Sequence, residues 1–222
     1  MHKPCNGDFE RAAQMVYQNY IFDFGSTVAD LTNGYRIAYT TAFQHFDMPF
    51  DVSKEKEYYG MPLDVLFSKY HRGCTCMYRD FVTMLMSTYD RNVIAGTTIY
   101  ADAGRCIAML HGIGCRLGIV SDSYEQHIHQ ILGEFGLGKM FSSVVGAERM
   151  ALRRPHPYCL DLCLREMGSE RTNTLVVSSN PKDIEMGRQA GVDTAFIDRG
   201  GAIGPDCGPT YYLETLDRLP FI

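Results

Sequence analysis

Three short apolar runs that end in small polar residues constrain the fold of this chain more than any other feature. The runs cover residues 19–24, 115–120 and 174–177. The polar residues at or just beyond their ends are Asp23, Ser121, Asp122, Ser178, Ser179 and Asn180. Runs of this length are typical of buried parallel strands. Because helical patterns follow them, we predict an α/β fold with a Rossmann-like parallel sheet, and we expect the polar residues to share one site beyond the strand ends.

The segment between the first and second strands has a different character. It carries no strand pattern, and apolar residues recur at helical spacing in three stretches, at 33–46, 62–70 and 76–89. We therefore predict an α-helical domain at 32–97 that is inserted into a core domain formed by 17–31 and 98–222.

Charge and hydropathy narrow the classes of partner. The 222 residues have a formal net charge of −5, so we expect no general attraction to nucleic acid or to an anionic membrane surface. No apolar run approaches the roughly 18 residues that cross a bilayer, and the first residues lack the apolar core of a signal peptide. These observations predict a cytoplasmic protein that binds a small molecule, and they leave its oligomeric state open.

The eight cysteines lack the paired spacings of a zinc site. His71, Cys74 and Cys76 nevertheless lie close together in sequence and have side chains that can bind metals. We favour an incidental cluster of reduced thiols, as is typical of cytoplasmic proteins, over a metal site.

Four motifs, in order along the chain, resemble those of the haloacid dehalogenase superfamily. Residues 23–27 (Asp-Phe-Gly-Ser-Thr) are similar to its first motif, and Ser121 after an apolar strand is similar to its second. Residues 153–157 (Arg-Arg-Pro-His-Pro) resemble the third motif, normally Lys-Pro-x-Pro, and residues 178–183 resemble the fourth. The helical insertion lies where this superfamily has its cap domain, and it resembles the cap of phosphoglycolate phosphatases. The resemblance implies a hydrolase.

The resemblance also implies roles for individual residues. Asp23 would be the covalent nucleophile, since a strand-end carboxylate can attack an electrophile and split one difficult step into two. The other expected catalytic residues are Thr27, Ser121, Arg154, Asn180 and Asp183. The expected contacts of a small anionic substrate are Phe24, Gly25, Ser26, Asp122, Ser178, Ser179 and Arg36.

Two positions depart from the pattern of the superfamily's phosphatases. Gly25 stands where they carry a general acid and base, and Ser179 stands where they carry a ligand of Mg²⁺. Mg²⁺ remains possible as a cofactor through Asp23, the Gly25 carbonyl and Asp183, with one anionic ligand fewer than usual. No other cofactor is expected.

Three hypotheses about function follow. The first is a hydrolase that works through Asp23 and resembles the metal-independent 2-haloacid dehalogenases at its fourth motif, since halide leaves without a proton. The second is a Mg²⁺-dependent phosphatase of small molecules, and the third is a non-catalytic protein that binds an anionic ligand. A fourth comparison, with phosphonoacetaldehyde hydrolase, is disfavoured because Leu63 stands where that enzyme has its Schiff-base lysine.

Overall fold

The computed structural model describes residues 16–72, 75–200 and 208–222. These residues form two compact units. One unit contains the described residues up to Asp30 together with Ile99–Ile222, which we call the core, and the other is Leu31–Thr98, which we call the inserted unit.

The core is built on a six-stranded parallel sheet in the order β5-β4-β1-β6-β7-β8. Its strands are β1 (Asn19–Phe22), β4 (Arg116–Val120), β5 (Ser143–Val145), β6 (Thr174–Ser178), β7 (Asp193–Ile197) and β8 (Tyr211–Leu213). Its helices are α5 (Ala101–Gly112), α6 (Glu125–Glu134), α7 (Tyr158–Met167) and α8 (Pro181–Ala190). The predicted α/β fold with a parallel sheet is confirmed.

Burial explains why the three central strands read as continuous apolar runs. Strands β1 and β6 are buried at every position, and β4 is buried at all but its first. Gly118 on β4 permits a close approach of α7, because a Cβ there would lie 2.6 Å from Cys163 Sγ and from Met167 Sδ. Helix α7 therefore packs directly against β4 on one face of the sheet.

The inserted unit is helical. Its helices are α1 (Thr32–His45), α2 (Glu55–Gly60), α3 (Leu63–Tyr70) and α4 (Tyr78–Asn92). Helix α1 lies close to the segment that follows α4, where the Gly34 N–H donates to the Gly96 carbonyl at 3.0 Å. Phe43 lies at the centre of an aromatic cluster and is fully buried; the rings around it belong to Phe50, Tyr58, Tyr70 and Phe81.

Two short strands, β2 (Ala29–Asp30) and β3 (Thr98–Ile99), pair where the chain leaves the core and returns to it. Neither was expected from the sequence, nor were the six-residue helix α2 and the three-residue strands β5 and β8. Within the described ranges, no helix is both long enough and apolar enough to cross a membrane. Residues 200–209 are rich in Gly and Pro, a composition that predicts a loop, and most of them lie outside the described residues.

The cysteines differ in state. Cys106, Cys115, Cys159 and Cys163 are free thiols, and all but Cys115 are buried. Cys76 forms a disulfide bond, so the expectation of reduced thiols in its cluster was wrong at that position. Cys74 lies outside the described residues. His71 stacks on Phe67, with ring centroids 4.7 Å apart, and its Nδ1 lies 2.8 Å from the Phe67 carbonyl.

Candidate active site

Polar residues converge at the carboxyl ends of three adjacent strands. Asp23 follows β1, Ser121 follows β4, and Ser178 ends β6, and β1 lies between the other two in the sheet. The backbone keeps strand geometry at the first of these points, where the Asp23 N–H donates to the Val177 carbonyl at 3.0 Å. The topology of the sheet therefore brings the three polar groups to one edge, as the sequence predicts.

Arg154 is the electrostatic centre of this group. Its Nη1 donates to Asp23 Oδ1 at 3.0 Å and to both carboxylate oxygens of Asp183 at 2.7 Å. Its Nη2 donates to Asp122 Oδ2 at 2.5 Å. The side chains of Arg154, Asp23 and Asp183 are only 4%, 6% and 2% exposed, whereas that of Asp122 is 64% exposed. One guanidinium thus links three carboxylates, two of them buried.

The turn after β1 fixes the second oxygen of Asp23. Thr27 Oγ1 donates to Asp23 Oδ2 at 3.1 Å and accepts a bond from the Ser179 N–H at 2.9 Å. Ser26 has a φ of 62°, in the left-handed region, and this conformation lets its N–H donate to the Ala29 carbonyl at 2.7 Å. Thr27 therefore connects Asp23 by hydrogen bonds to the residue that follows β6.

The residues after β6 orient Asp183. Ser178 Oγ donates to Asp183 Oδ2 at 2.6 Å and accepts from the Asn180 N–H at 2.9 Å. Asn180 Oδ1 accepts from the Lys182 N–H at 3.0 Å and so caps the first turn of α8. The helix cap uses the side-chain oxygen of Asn180 and leaves its Nδ2 amide for other contacts.

Burial of two carboxylates around one guanidinium perturbs their ionisation. Burial, together with the negative charge of Asp183, raises the pKa of Asp23 to about 7, although Arg154 and Thr27 act in the opposite direction. Burial likewise raises the pKa of Asp183. A buried, raised-pKa carboxyl beside a fixed cation is the kind of group that active sites use.

Comparison with known proteins identifies the family. The family model described as "Haloacid dehalogenase-like hydrolase" matches residues 20–197, which include all of the groups above. The chain belongs to the haloacid dehalogenase-like hydrolase family.

Relatives of this hydrolase include enzymes named as phosphatases. Over 184 residues it is 24% identical to pyrophosphatase PpaX of Oceanobacillus iheyensis, covering 82% of this chain and 84% of that protein. Over 190 residues it is 26% identical to phosphoglycolate phosphatase of Rhodospirillum rubrum, covering 81% and 79%. The crystal structure of a predicted phosphoglycolate phosphatase from Haemophilus somnus 129PT superposes with a TM-score of 0.79 at 16% identity, covering 93% and 97%, which shows a shared fold.

The residues that were expected to contact the substrate or take part in catalysis lie in environments that differ from one to the next. The Phe24 side chain is fully buried, so only its backbone can face a ligand. Gly25 forms a β-bridge with Ala29, and Ser121 Oγ accepts from the Ser123 N–H at 3.1 Å. Arg36 belongs to the inserted unit, where its guanidinium forms two bonds to Glu55, at 2.7 and 2.8 Å. Its role in substrate binding stays a prediction.

The side chains expected to bind Mg²⁺ do not fit that ion in this arrangement. Both oxygens of Asp183 accept from Arg154, and the two oxygens of Asp23 accept from Arg154 and Thr27. Mg²⁺ needs a near-octahedral shell of oxygen ligands. Across 16–72, 75–200 and 208–222, no group of three or more His, Cys, Asp or Glu side chains is placed to hold a metal.

Sequence reasoning missed one supporting residue of the hydrolase, Arg199. Its guanidinium forms two 2.9 Å bonds with Asp102 and donates to the Thr27 carbonyl at 3.0 Å. It also lies over the Tyr100 ring, 4.1 Å from the centroid. Arg199 lies just beyond the end of β7, and a place near a strand end was the only signal that could have drawn attention to it.

Proposed function

We propose that this hydrolase cleaves small phosphorylated substrates through a covalent intermediate on Asp23. The single observation that carries the proposal is the Asp23 carboxylate, buried at the end of the central strand and held between Arg154 Nη1 and Thr27 Oγ1. The phosphatase names of its relatives support phosphate as the transferred group. A small, anionic, phosphorylated molecule also suits a site that carries a permanent cation.

In the first step an Asp23 oxygen attacks phosphorus. A bond forms between that oxygen and phosphorus, and the bond from phosphorus to the leaving group breaks. The leaving group departs with the electron pair and takes a proton from water, since Gly25 offers no side chain that could supply one. Water then attacks the acyl phosphate, inorganic phosphate is released and the Asp23 carboxylate is regenerated. The covalent route replaces one difficult displacement by two easier ones.

The neighbouring residues would orient the reacting groups. Arg154 keeps Asp23 aligned and offers positive charge to the incoming phosphoryl oxygens, and Thr27 fixes the second carboxylate oxygen. The Ser121 hydroxyl, at the end of the adjacent strand, is placed to hold a substrate oxygen. Asn180 and Asp183 would orient the hydrolytic water. Fixed donors of this kind stabilise developing charge without reorganising during the reaction.

Displacement of halide from a 2-haloacid is the second candidate function. Gly25 favours it, because the first motif then offers no side chain to protonate a leaving group. The bond from Ser178 to Asp183 favours it too, since it fixes the carboxylate that would orient the hydrolytic water. Halide needs no proton, so a site without a general acid can expel it.

The experiment is a parallel assay of purified protein. Phosphate release from pyrophosphate, acetyl phosphate and phosphoglycolate is compared with halide release from 2-chloropropionate, each with Mg²⁺ and with EDTA. We expect phosphate release that Asp23→Asn abolishes. The matched control is Asp161→Asn, which removes a carboxylate of a surface ion pair in the same unit and should leave the rate unchanged.

The other outcomes are informative in the same assay. Halide release without phosphate release would establish the second candidate. If neither product forms with any substrate, and Asp23→Asn changes nothing, the non-catalytic hypothesis gains. The cytoplasmic location, and the absence of nucleic acid and membrane partners, stay predictions from composition and charge.

A further inference from the structure

One nitrogen of Arg154 contacts the carboxylates of two residues, as a bound cation would. A single nitrogen, Nη1, lies 3.0 Å from Asp23 Oδ1 and 2.7 Å from each oxygen of Asp183. These carboxylates come from the ends of two adjacent strands, β1 and β6. A divalent ion bound by the same two residues would have to bridge them as this nitrogen does.

All four carboxylate oxygens of Asp23 and Asp183 accept hydrogen bonds. Asp23 Oδ2 accepts from Thr27, and Asp183 Oδ2 accepts from Ser178 as well as from Arg154. The third carboxylate, Asp122, is bound to Nη2 of the same guanidinium. A metal ion that took the position of Nη1 between Asp23 and Asp183 would have to displace a guanidinium whose side chain is 4% exposed.

We propose that the Arg154 guanidinium occupies the place of the divalent cation, so that the hydrolase binds no Mg²⁺ between Asp23 and Asp183 and works without it. The statement about catalysis rests on the proposed function. The statement about metal binding does not, because it follows from the position of Nη1 between the two carboxylates. The two statements are tested by separate readouts.

The binding experiment is a calorimetric titration of the protein with Mg²⁺ and with Mn²⁺, accompanied by thermal unfolding in each ion and in EDTA. We expect no saturable heat at millimolar metal and no change in melting temperature for the unmodified protein. Arg154→Met frees both carboxylates, and we expect its affinity for Mn²⁺ to be more than about tenfold higher. Arg105→Met, which removes an arginine of an exposed ion pair in the core, is the matched control and should behave like the unmodified protein.

Saturable metal binding by the unmodified protein, lost in Asp183→Asn, would overturn the proposal. This arm decides the question even if Arg154→Met fails to fold. In the activity arm, the rate of phosphate release should agree within about twofold between Mg²⁺ and EDTA, whereas loss of a needed metal would cost orders of magnitude. If no phosphate is released under either condition, the proposed function fails, and the calorimetry still tests the place of the cation.

Discussion

The core and the inserted unit handle charge in opposite ways. In the core, Asp23, Asp183 and Arg154 are buried together at the end of the sheet. In the inserted unit, the charged pairs Arg36–Glu55 and Lys69–Glu57 lie at the surface, and the interior is aromatic. Among the described residues, the buried charged side chains all lie in the core.

This difference separates stability from function. Burying a charge is costly unless it is paired, and the core buries two carboxylates for one guanidinium. The aromatic interior around Phe43 carries no such cost, because ring contacts and apolar burial are favourable on their own. The unbalanced charge at the strand ends is therefore the feature that needs a functional explanation, and a reactive nucleophile provides one.

The contrast between the two regions predicts that, among these substitutions, the one at Arg154 lowers the free energy of unfolding the most. Arg154→Met leaves Asp23 and Asp183 buried without their cation, and loss of one partner of a buried pair costs about 3–5 kcal/mol. Arg36→Met removes one partner of an exposed pair and should cost about 0–1 kcal/mol. Urea unfolding of both variants at pH 7 measures the contrast. Equal losses in the two variants would mean that the core charges are not buried as described.

The aromatic interior provides the next test. Phe43 is fully buried among aromatic rings, so Phe43→Ala should cost about 3–5 kcal/mol from lost apolar burial and the cavity that remains. Met77→Ala, at a side chain that is 69% exposed, is the control and should change stability by no more than about 0.5 kcal/mol. Far-UV circular dichroism during urea unfolding gives both values. A small loss at Phe43 would show that the inserted unit does not depend on this cluster.

The central part of the fold could be predicted from the sequence because its signals are long and repeated. Strands β1, β4 and β6 are mostly apolar, and a polar residue ends each strand or follows it directly. The three helices predicted in the inserted unit are found within a few positions of their expected bounds. Strands β5 and β8 lie at the two edges of the sheet and span three residues each. Runs of three residues are too short to show a period, so no sequence pattern distinguished them from loops.

The candidate site was predictable as a set of residues but not as a network. Parallel topology places Asp23, Ser121 and Ser178 at one edge without any knowledge of distances. The bonds of Arg154 depend on where its long side chain ends, and the sequence does not contain that information. For the same reason, the pair Arg36–Glu55, nineteen residues apart, was not foreseen. The support that Arg199 gives to Thr27 was missed for this reason as well.

The unbalanced charge also predicts how stability depends on pH. The pKa of Asp23 is raised in the folded protein to about 7, from an ordinary value of 3.8, so the folded state holds its proton more tightly. The stabilising contribution of this group is full below about pH 4 and is lost as the pH rises to about 7. Asp23→Asn removes the titration, so we expect the variant to gain stability over the unmodified protein between these values. Melting temperatures at pH 5 and pH 8 measure the gain, and an equal difference at both would contradict the raised pKa.

The smallest expected effect lies at the surface of the inserted unit. The Lys69–Glu57 pair has side chains that are 51% and 41% exposed, so solvent and salt screen its attraction. Lys69→Met should therefore change the free energy of unfolding by about 0–1 kcal/mol, and the change should shrink further in 1 M salt. Arg154→Met should keep most of its cost in the same salt, because ions do not reach a buried pair. Urea unfolding of both variants at low and high salt measures these changes. If salt reduced the cost of both substitutions alike, the charged groups of the core and of the inserted unit would be equally accessible to ions. The contrast between the two regions would then be wrong.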